Sequence, residues 1–275
     1  MSRSVRSRAG FTLLELAIVL VILGVLTAVA TREIDKVQAQ QRFEASQRGL
    51  ETIREAVWGS PDDRAADGSR IQSGFVADLG RLPDFAGEGL AELWANRTGG
   101  AYEVQPAAAD ADVLVAGGWR GPYARLPVGA EELRDGWGNA YTSKLETGVW
   151  RVGHLGADGK EGGTDYDQDV FLDFPDRAAE AWTWGQVEVS TNLLTPGLAY
   201  FVRVRLYGPD GSEESAALPI GFPTNTVNWT ELGPVPVGLR AVRAYLEGPA
   251  TNRSAIRYVG LRSGANGPVN LVINW

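Results

Sequence analysis

Four aspartates lie close together in one glycine-rich stretch of the sequence, namely Asp158, Asp165, Asp167 and Asp169. Carboxylates at this spacing repel one another unless solvent or a cation lies between them. Calcium takes about six to eight oxygen ligands and suits a flexible acidic loop. The stretch therefore predicts a structural calcium site, with a solvated acidic loop as the alternative. The single histidine, His154, is expected to pack at the end of a strand or to lie on the surface rather than to bind the ion, because calcium prefers oxygen.

The spacing of these aspartates also suggests an EF-hand loop, but two details of the sequence exclude one. Val170 stands where such a loop needs glycine. Pro175, together with the strand-like segment VFLDF, argues against the helix that should follow. The acidic loop is therefore predicted to join two strands.

A different kind of carboxylate, Glu15, stands inside an apolar run from Phe11 to Ala30. A helix of about 20 residues spans roughly 30 Å, the thickness of the hydrocarbon core of a bilayer. The run is too long for an ordinary cleaved secretory signal. Arg3, Arg6 and Arg8 precede it and predict a cytoplasmic N-terminus with an exported body. An ionised side chain within such a helix usually has a partner.

Composition excludes several classes of function. The chain has no cysteine and one histidine, so it offers no disulfide, thiolate nucleophile or multi-histidine metal centre. Its net charge of −8 argues against nucleic-acid binding, which needs a basic patch. We find no catalytic triad and no phosphate-binding glycine loop, and we therefore predict that the protein is not an enzyme.

The elements that must position these groups begin with one long helix, predicted from Phe11 to Trp58 and roughly 70 Å in length. Its second half is amphipathic, with apolar residues at helical spacing at Ile34, Val37, Leu50, Ile53 and Val57. After it come turn-rich segments, GWRGPYARLP and DGWGNAYTSK, whose aromatic side chains are expected to pack the core beneath the loops.

The last 98 residues, 178–275, contain short strand-like segments separated by turn signals. Alternation with a period of two is clearest in Phe201–Tyr207 and in Arg240–Leu246. About six such strands predict a β-sandwich. The arginines of these segments are expected on the outward, solvated face, with a binding face as the less favoured alternative.

The sequence GFTLLE, Gly10 to Glu15, preceded by a basic leader and followed by an apolar run, resembles the processing site of type IV prepilins and type II secretion pseudopilins. The resemblance implies that a prepilin peptidase cuts after Gly10 and methylates Phe11. It also implies that Glu15 pairs with the N-terminal amine of a neighbouring subunit. Many major subunits of the family carry a proline where Arg32 stands here, so local unwinding of the helix on assembly is an open question.

The acidic stretch LGADG…GG…D resembles the calcium loop of the major pseudopilins, and the GPY and DGWGN segments resemble other stretches of that family. The resemblance implies that Leu155 contributes a carbonyl and Asp158 a carboxylate to Ca²⁺. Asp165, Asp167 and Asp169 remain alternatives for the other positions.

We therefore predict an α+β chain with a pilin-like fold, a long N-terminal helix plus a small antiparallel sheet head, followed by an all-β sandwich. The expected parts are a leader at 1–10, a transmembrane and assembly helix at 11–58, a head with a calcium loop at 59–177 and the sandwich at 178–275.

The function expected from the resemblance is that of a structural subunit of a type IV pilus-like or type II secretion pseudopilus filament, major or minor. Expected partners are other subunits, prepilin peptidase, the inner-membrane assembly platform and membrane lipid. The precursor would sit in the bacterial inner membrane with its body periplasmic or extracellular. Secretion, adhesion and DNA uptake all remain open. The alternative is a signal-anchored surface protein whose sandwich recognises a polymer or a sugar.

Replacing the carboxylate in the apolar run tests its pairing role. Glu15→Leu should leave membrane insertion intact or improve it, because it removes a charge from an apolar segment. Incorporation into filaments should fall, because the neighbouring amine loses its partner. Membrane fractionation measures insertion, and the amount of protein in sheared filaments measures incorporation. Undiminished incorporation would show that Glu15 does not have this role.

Overall fold

A computed structural model describes residues 13–60, 73–87, 89–97, 100–108, 110–178, 182–191, 200–220, 228–247, 253–262, 266 and 269–273. The helices are α1 (Leu13–Trp58) and α2 (Phe75–Leu79), with short 3-10 helices at Gly89–Leu93 and Asp165–Asp167. The strands are β1 (Glu103–Ala107), β2 (Asp110–Gly117), β3 (Thr142–Glu146), β4 (Val149–His154), β5 (Val170–Phe174), β6 (Trp182–Thr191), β7 (Tyr200–Tyr207), β8 (Glu213–Ile220), β9 (Asn228–Pro236), β10 (Gly238–Glu247), β11 (Arg253–Leu261) and β12 (Val269–Ile273). The fold is α+β with a β-rich C-terminal part.

Helix α1 ends at Trp58, as its periodicity predicts, and Gly59 follows with a φ of 85° that stops the helix. The second half of α1 buries Leu50, Ile53 and Val57 completely or nearly so. The expectation that Ile34 and Val37 share this packed face is wrong, since both are more than half exposed. The head contacts α1 at Gln40, to which Tyr166 donates a hydrogen bond, and at the buried residues farther along the helix.

None of the helices in the described part of the chain is both long enough and apolar enough to count as a candidate membrane span.

The head packs against one face of the C-terminal half of α1. Strands β3, β4 and β5 form an antiparallel sheet with β4 in the centre, and β1 and β2 form a separate antiparallel hairpin. One hydrophobic cluster joins α1, α2, the first 3-10 helix and this sheet; its buried members are Leu50, Ile53, Ala56, Val57, Phe75, Val76, Phe85, Leu90, Leu93, Ala124, Tyr141, Val152, Phe174 and Trp182. The expected packing role of the turn aromatics is confirmed at Tyr141, which is buried, and at Trp119 and Tyr123, which pack against the cluster.

The C-terminal part contains two sheets that share one core. The four-stranded sheet has the order β11-β10-β7-β8 and the three-stranded sheet the order β12-β6-β9. Both contribute to one cluster, which consists of Val187, Val202, Val204, Leu206, Leu232, Val235, Val242, Ala244, Leu246, Leu261, Val269, Leu271 and Ile273. Strand β12 lies parallel to β6, with Val269 opposite Val187, whereas only antiparallel pairing was expected. The chain crosses from the edge strand β11 of one sheet to the other sheet, and there β12 runs in the same direction as β6.

The expectation that the arginines of these strands face solvent is wrong for two of them. Arg240 is only 3% exposed and donates to backbone carbonyls, including that of Ala77 in α2. Arg243 forms an ion pair with Asp110 of β2 at 2.7 Å. Helix α2 and the hairpin β1–β2 pack against this part of the sheet, so both arginines lie at the junction with the head.

Candidate functional site

The processing residues Gly10 and Phe11 lie outside the described residues. Glu15 lies in the first turn of α1 and is exposed. The apolar side chains around it are exposed as well, at 47% to 89% of their surface. They are Leu13, Leu14, Leu16, Ile18, Val19, Leu20, Val21, Ile22, Leu23, Val25 and Leu26. They occur at nearly every position of this part of α1, so its whole circumference is apolar. A helix that is apolar all round requires lipid or other protein to cover it.

The acidic loop joins β4 to β5, as predicted, and these strands pair with His154 opposite Val170. The loop folds back on itself, since the amide of Ala157 donates to the carbonyl of Tyr166 at 2.8 Å. The backbone of Asp167 lies so close to Gly156 that a Cβ atom added to Gly156 would collide with the Asp167 carbonyl carbon. Gly156 also has a φ of 64°, which favours glycine. The glycines that suggested flexibility therefore allow a compact loop.

The candidate aspartates differ in how far their side chains are buried. The side chains of Asp158, Asp165 and Asp167 are exposed, and Asp158 Oδ1 accepts a hydrogen bond from the amide of Lys160. Asp169 is half-buried, and its Oδ2 accepts a hydrogen bond from the amide of Gly162 at 2.9 Å. Its Oδ1 is buried and has no hydrogen-bond partner in the described part of the chain.

A calcium site formed by clustered carboxylates alone does not fit this loop. Across the residues that the structure describes, no group of three or more Asp, Glu or His side chains is placed to hold a metal ion. A site here would have to combine one or two carboxylates with backbone carbonyls, a ligand set that calcium accepts. The orphaned Oδ1 of Asp169 fits such a set, because a buried carboxylate oxygen without a partner is costly.

The acidic loop rests on the middle of α1. The hydroxyl of Tyr166 lies 3.2 Å from Gln40 Oε1, to which it donates a hydrogen bond. The ring of Phe43 packs edge-on against Tyr166 and His154, with centroids 6.1 and 5.9 Å apart. The conformation of the loop and the surface of α1 between Gln40 and Phe43 are therefore linked by direct contact.

A second loop, DGWGN, fixes the head on α1 immediately beyond this point. The amide of Gly136 donates to Ser46 Oγ at 3.0 Å, and the hydroxyl of Tyr141 donates to the carbonyl of Ser46 at 2.9 Å. The loop keeps its shape because Asp135 Oδ1 accepts from the amides of Trp137 and Asn139.

The contribution of Ser46 was not predicted. The sequence does contain a signal for this contact, because Ser46 and Gly49 are small residues at helical spacing on the face of α1 that packs against the head. At Gly49 an added Cβ would overlap the hydroxyl of Tyr141, so glycine there permits the close approach.

His154 confirms its expected role as a packing residue. It is fully buried at the end of β4, and its Nδ1 accepts a hydrogen bond from the amide of Gly156 at 3.2 Å. Burial lowers the pKa of His154, while the carboxylates of Asp135 and Asp169 raise it to a smaller extent. The imidazole is therefore neutral at pH 7, with its proton on Nε2.

Comparison with known proteins agrees with the character of the N-terminal segment. The prokaryotic N-terminal methylation motif matches residues 5–31. The chain is 29% identical over 171 residues to the type II secretion system core protein G of Pseudomonas aeruginosa, an alignment that covers 60% of this chain and 94% of that protein. It is 34% identical over 119 residues to the type IV major pilin protein PilA of Myxococcus xanthus, which covers 43% of this chain and 46% of that protein. No solved structure matches the chain. The resemblance to type IV prepilins and pseudopilins is thereby confirmed.

The compact form of the acidic loop can be tested at Gly156. Gly156→Ala should open the loop, because the new Cβ collides with Asp167 as well as straining the backbone. Gly129→Ala is the matched control, since Gly129 also has a positive φ, of 81°, but open space around its Cβ position. The measurement is the rate at which a lysine-specific protease cleaves after Lys160. Equal rates for the two variants would contradict the role of this close approach.

Proposed function

We propose that this chain is a structural subunit of a type IV pilus-like or pseudopilus filament, cleaved after Gly10 and methylated on Phe11 by a prepilin peptidase. The observation that carries this proposal is the methylation motif at 5–31, which includes the exposed apolar part of α1 from Leu13 to Leu26. A long helix followed by a small antiparallel sheet supports a head of the pilin type.

The apolar surface of α1 supports both a membrane stage and an assembled stage. Burying one exposed Leu, Ile or Val side chain is worth about 1.5–3 kcal/mol, so the eleven side chains between Leu13 and Leu26 are strongly disfavoured in water. Before assembly, lipid of the inner membrane would cover the run Phe11–Ala30, with the leader arginines holding the N-terminus in the cytoplasm. After assembly, the α1 helices of neighbouring subunits would cover it.

The relatives support the partners of such a subunit. One is named as a core protein of a type II secretion system and the other as a major pilin. By analogy, this chain would pack against other pilin or pseudopilin subunits and against an inner-membrane assembly platform. Glu15 would pair with the amine that cleavage creates on a neighbour. Structural subunits of this kind are not enzymes, and we propose the same for this chain.

The state of the N-terminus tests this proposal directly. Mass spectrometry of the protein extracted from membranes should find Phe11 as the first residue, carrying an added methyl group. The same sample from cells without prepilin peptidase should keep the leader. A chain that begins at Met1 without a methyl group in normal cells would contradict the proposal.

We also propose that the acidic loop binds one structural Ca²⁺ through the carbonyl of Leu155 and the carboxylates of Asp158 and Asp169. The buried, unpartnered Oδ1 of Asp169 supports this choice over Asp165 and Asp167, whose side chains are exposed. When bound, the ion would neutralise the carboxylates of the loop. The chain's own part is to hold the loop against Gln40 and Phe43 of α1.

Calcium should therefore raise the melting temperature of the full chain. At 100 times its dissociation constant, a ligand adds about 2.7 kcal/mol of stability, which for a chain of this size corresponds to a Tm rise of roughly 5–10 °C. Thermal unfolding in detergent, with calcium or with chelator, measures this shift.

Asp169→Asn should abolish the calcium-dependent rise, while Asp167→Asn is the matched control from the same loop and should keep it. An unchanged Tm in the parent would contradict the calcium site. Equal behaviour of the two variants would contradict the choice of Asp169.

A further inference from the structure

The hairpin β1–β2 of the head stands on the outer face of the four-stranded C-terminal sheet. A separate hydrophobic cluster forms at the contact, with Ala107, Val113 and Val115 from the hairpin and Tyr207 and Ala241 from the sheet. Val113 and Tyr207 are completely buried. This cluster shares no residue with the cores of the two parts that it joins. Separating the parts would expose these side chains to water, so the contact is favourable in itself.

A buried network of polar groups lies at the edge of this cluster. Asp110 accepts a hydrogen bond from Arg243 Nη1 at 2.7 Å through one oxygen and from the hydroxyl of Tyr207 at 3.0 Å through the other. The side chains of Asp110 and Arg243 are only 11% and 12% exposed. Burial raises the pKa of Tyr207 to about 12, so its phenol remains a donor. Both oxygens of Asp110 are thus engaged by the C-terminal sheet.

The geometry of Arg243 leaves little freedom in this network. Its guanidinium stacks over the ring of Tyr245, 4.7 Å from the centroid, and also donates to Ser254 Oγ. The hydroxyl of Tyr245 in turn lies 3.1 Å from that of Tyr207. Groups from β7, β10 and β11 therefore hold the guanidinium of Arg243 in place independently of Asp110.

A second attachment to the head lies three residues before Arg243 in β10. Arg240, which is 3% exposed, donates from Nη2 to the carbonyl of Ala77 in α2 at 2.8 Å. Its other hydrogen bonds hold the turn between β9 and β10, through the carbonyls of Pro236, Val237 and Leu239. Pro209, between β7 and β8, packs so closely on Gly117 that a Cβ there would lie 2.0 Å from the Pro209 carbonyl oxygen. Two attachment points plus a backbone contact restrict rotation about any single one of them.

We infer that the C-terminal β-rich part is mounted on the head in one fixed orientation, and that the paired carboxylate of Asp110 specifies that orientation. The apolar cluster supplies the attraction, while a buried ion pair with both partners held in place penalises every alternative arrangement. The hairpin is therefore a mounting element of the head.

The hairpin covers Tyr207, Ala241 and Arg243 on the outer face of the sheet. A polymer or sugar could not reach that end of the face, because the hairpin β1–β2 covers it. The C-terminal part would move with the head, and in a filament every copy would present it at the same angle. The fixed orientation of the C-terminal part on the head is a property of the single chain, whether or not the chain assembles.

Distances between spin labels in the full chain test the mount. The chain has no cysteine, so Val128→Cys and Val272→Cys add two unique labelling sites. Both positions are exposed, Val128 in the head and Val272 in β12. The labelled chain is diluted with unlabelled chain in detergent so that only distances within one molecule are measured. Pulsed electron spin resonance should give a single narrow distance peak. A broad or multiple distribution would overturn the inference.

Asp110→Ala in this labelled chain should broaden the peak or split it. Asp112→Ala is the matched control, because Asp112 is a neighbouring carboxylate 3.5 Å from Arg243 but 80% exposed, and it should keep the peak narrow. Circular dichroism checks that each variant folds, and the milder Asp110→Asn is measured if Asp110→Ala does not. A peak as narrow in the folded Asp110 variant as in the control would overturn the role of Asp110.

Discussion

The packing of the second half of α1 against the head is the interaction on which the rest of this structure depends. Ile53 and Val57 of α1 have no exposed surface, and they share a cluster with α2, with the first 3-10 helix and with the sheet β3–β4–β5. Each such side chain contributes about 1.5–3 kcal/mol through burial. Removal of α1 would therefore leave α2, the first 3-10 helix and this sheet without their common partner.

The same contact determines where the chain can meet other molecules. The loops containing Gly136 and Tyr166 hold α1 at Ser46 and Gln40. The apolar side chains from Leu13 to Leu26, earlier in α1, are exposed, and the acidic loop contacts the helix between these two parts. At the other end of the head, the hairpin β1–β2 carries the C-terminal sheets through a separate apolar cluster and the ion pair of Asp110 with Arg243. The long helix α1, the head and the C-terminal β-rich part are thus connected by two packed junctions.

Sequence patterns predicted the elements whose periodicity is strong and local. The end of α1 at Trp58 and the strands β7 and β10 follow directly from repeats of 3.6 and 2. Strand β8 and the hairpin β1–β2 were not predicted, because proline and acidic residues interrupt their alternation. Both form through pairing along the neighbouring strand, as β8 does with β7 from Glu213 to Ile220. For the acidic loop, the sequence left Asp165, Asp167 and Asp169 as alternatives, and only the fold distinguishes Asp169 by burying one of its oxygens.

The sequence by itself determined the resemblance to prepilins, the long helix, the α+β class and the location of the acidic loop, because each rests on residues that are neighbours in the chain. The tertiary structure decided which face of α1 is covered, which aspartate is partly buried and which arginine side chains are buried. Those outcomes depend on contacts between distant residues, such as Ser46 with Gly136 and Asp110 with Arg243, which are 90 and 133 positions apart. An alternating strand has two faces, and its own sequence does not determine which other element packs on each face. Here a hairpin more than 100 residues earlier in the chain covers one face at Arg243.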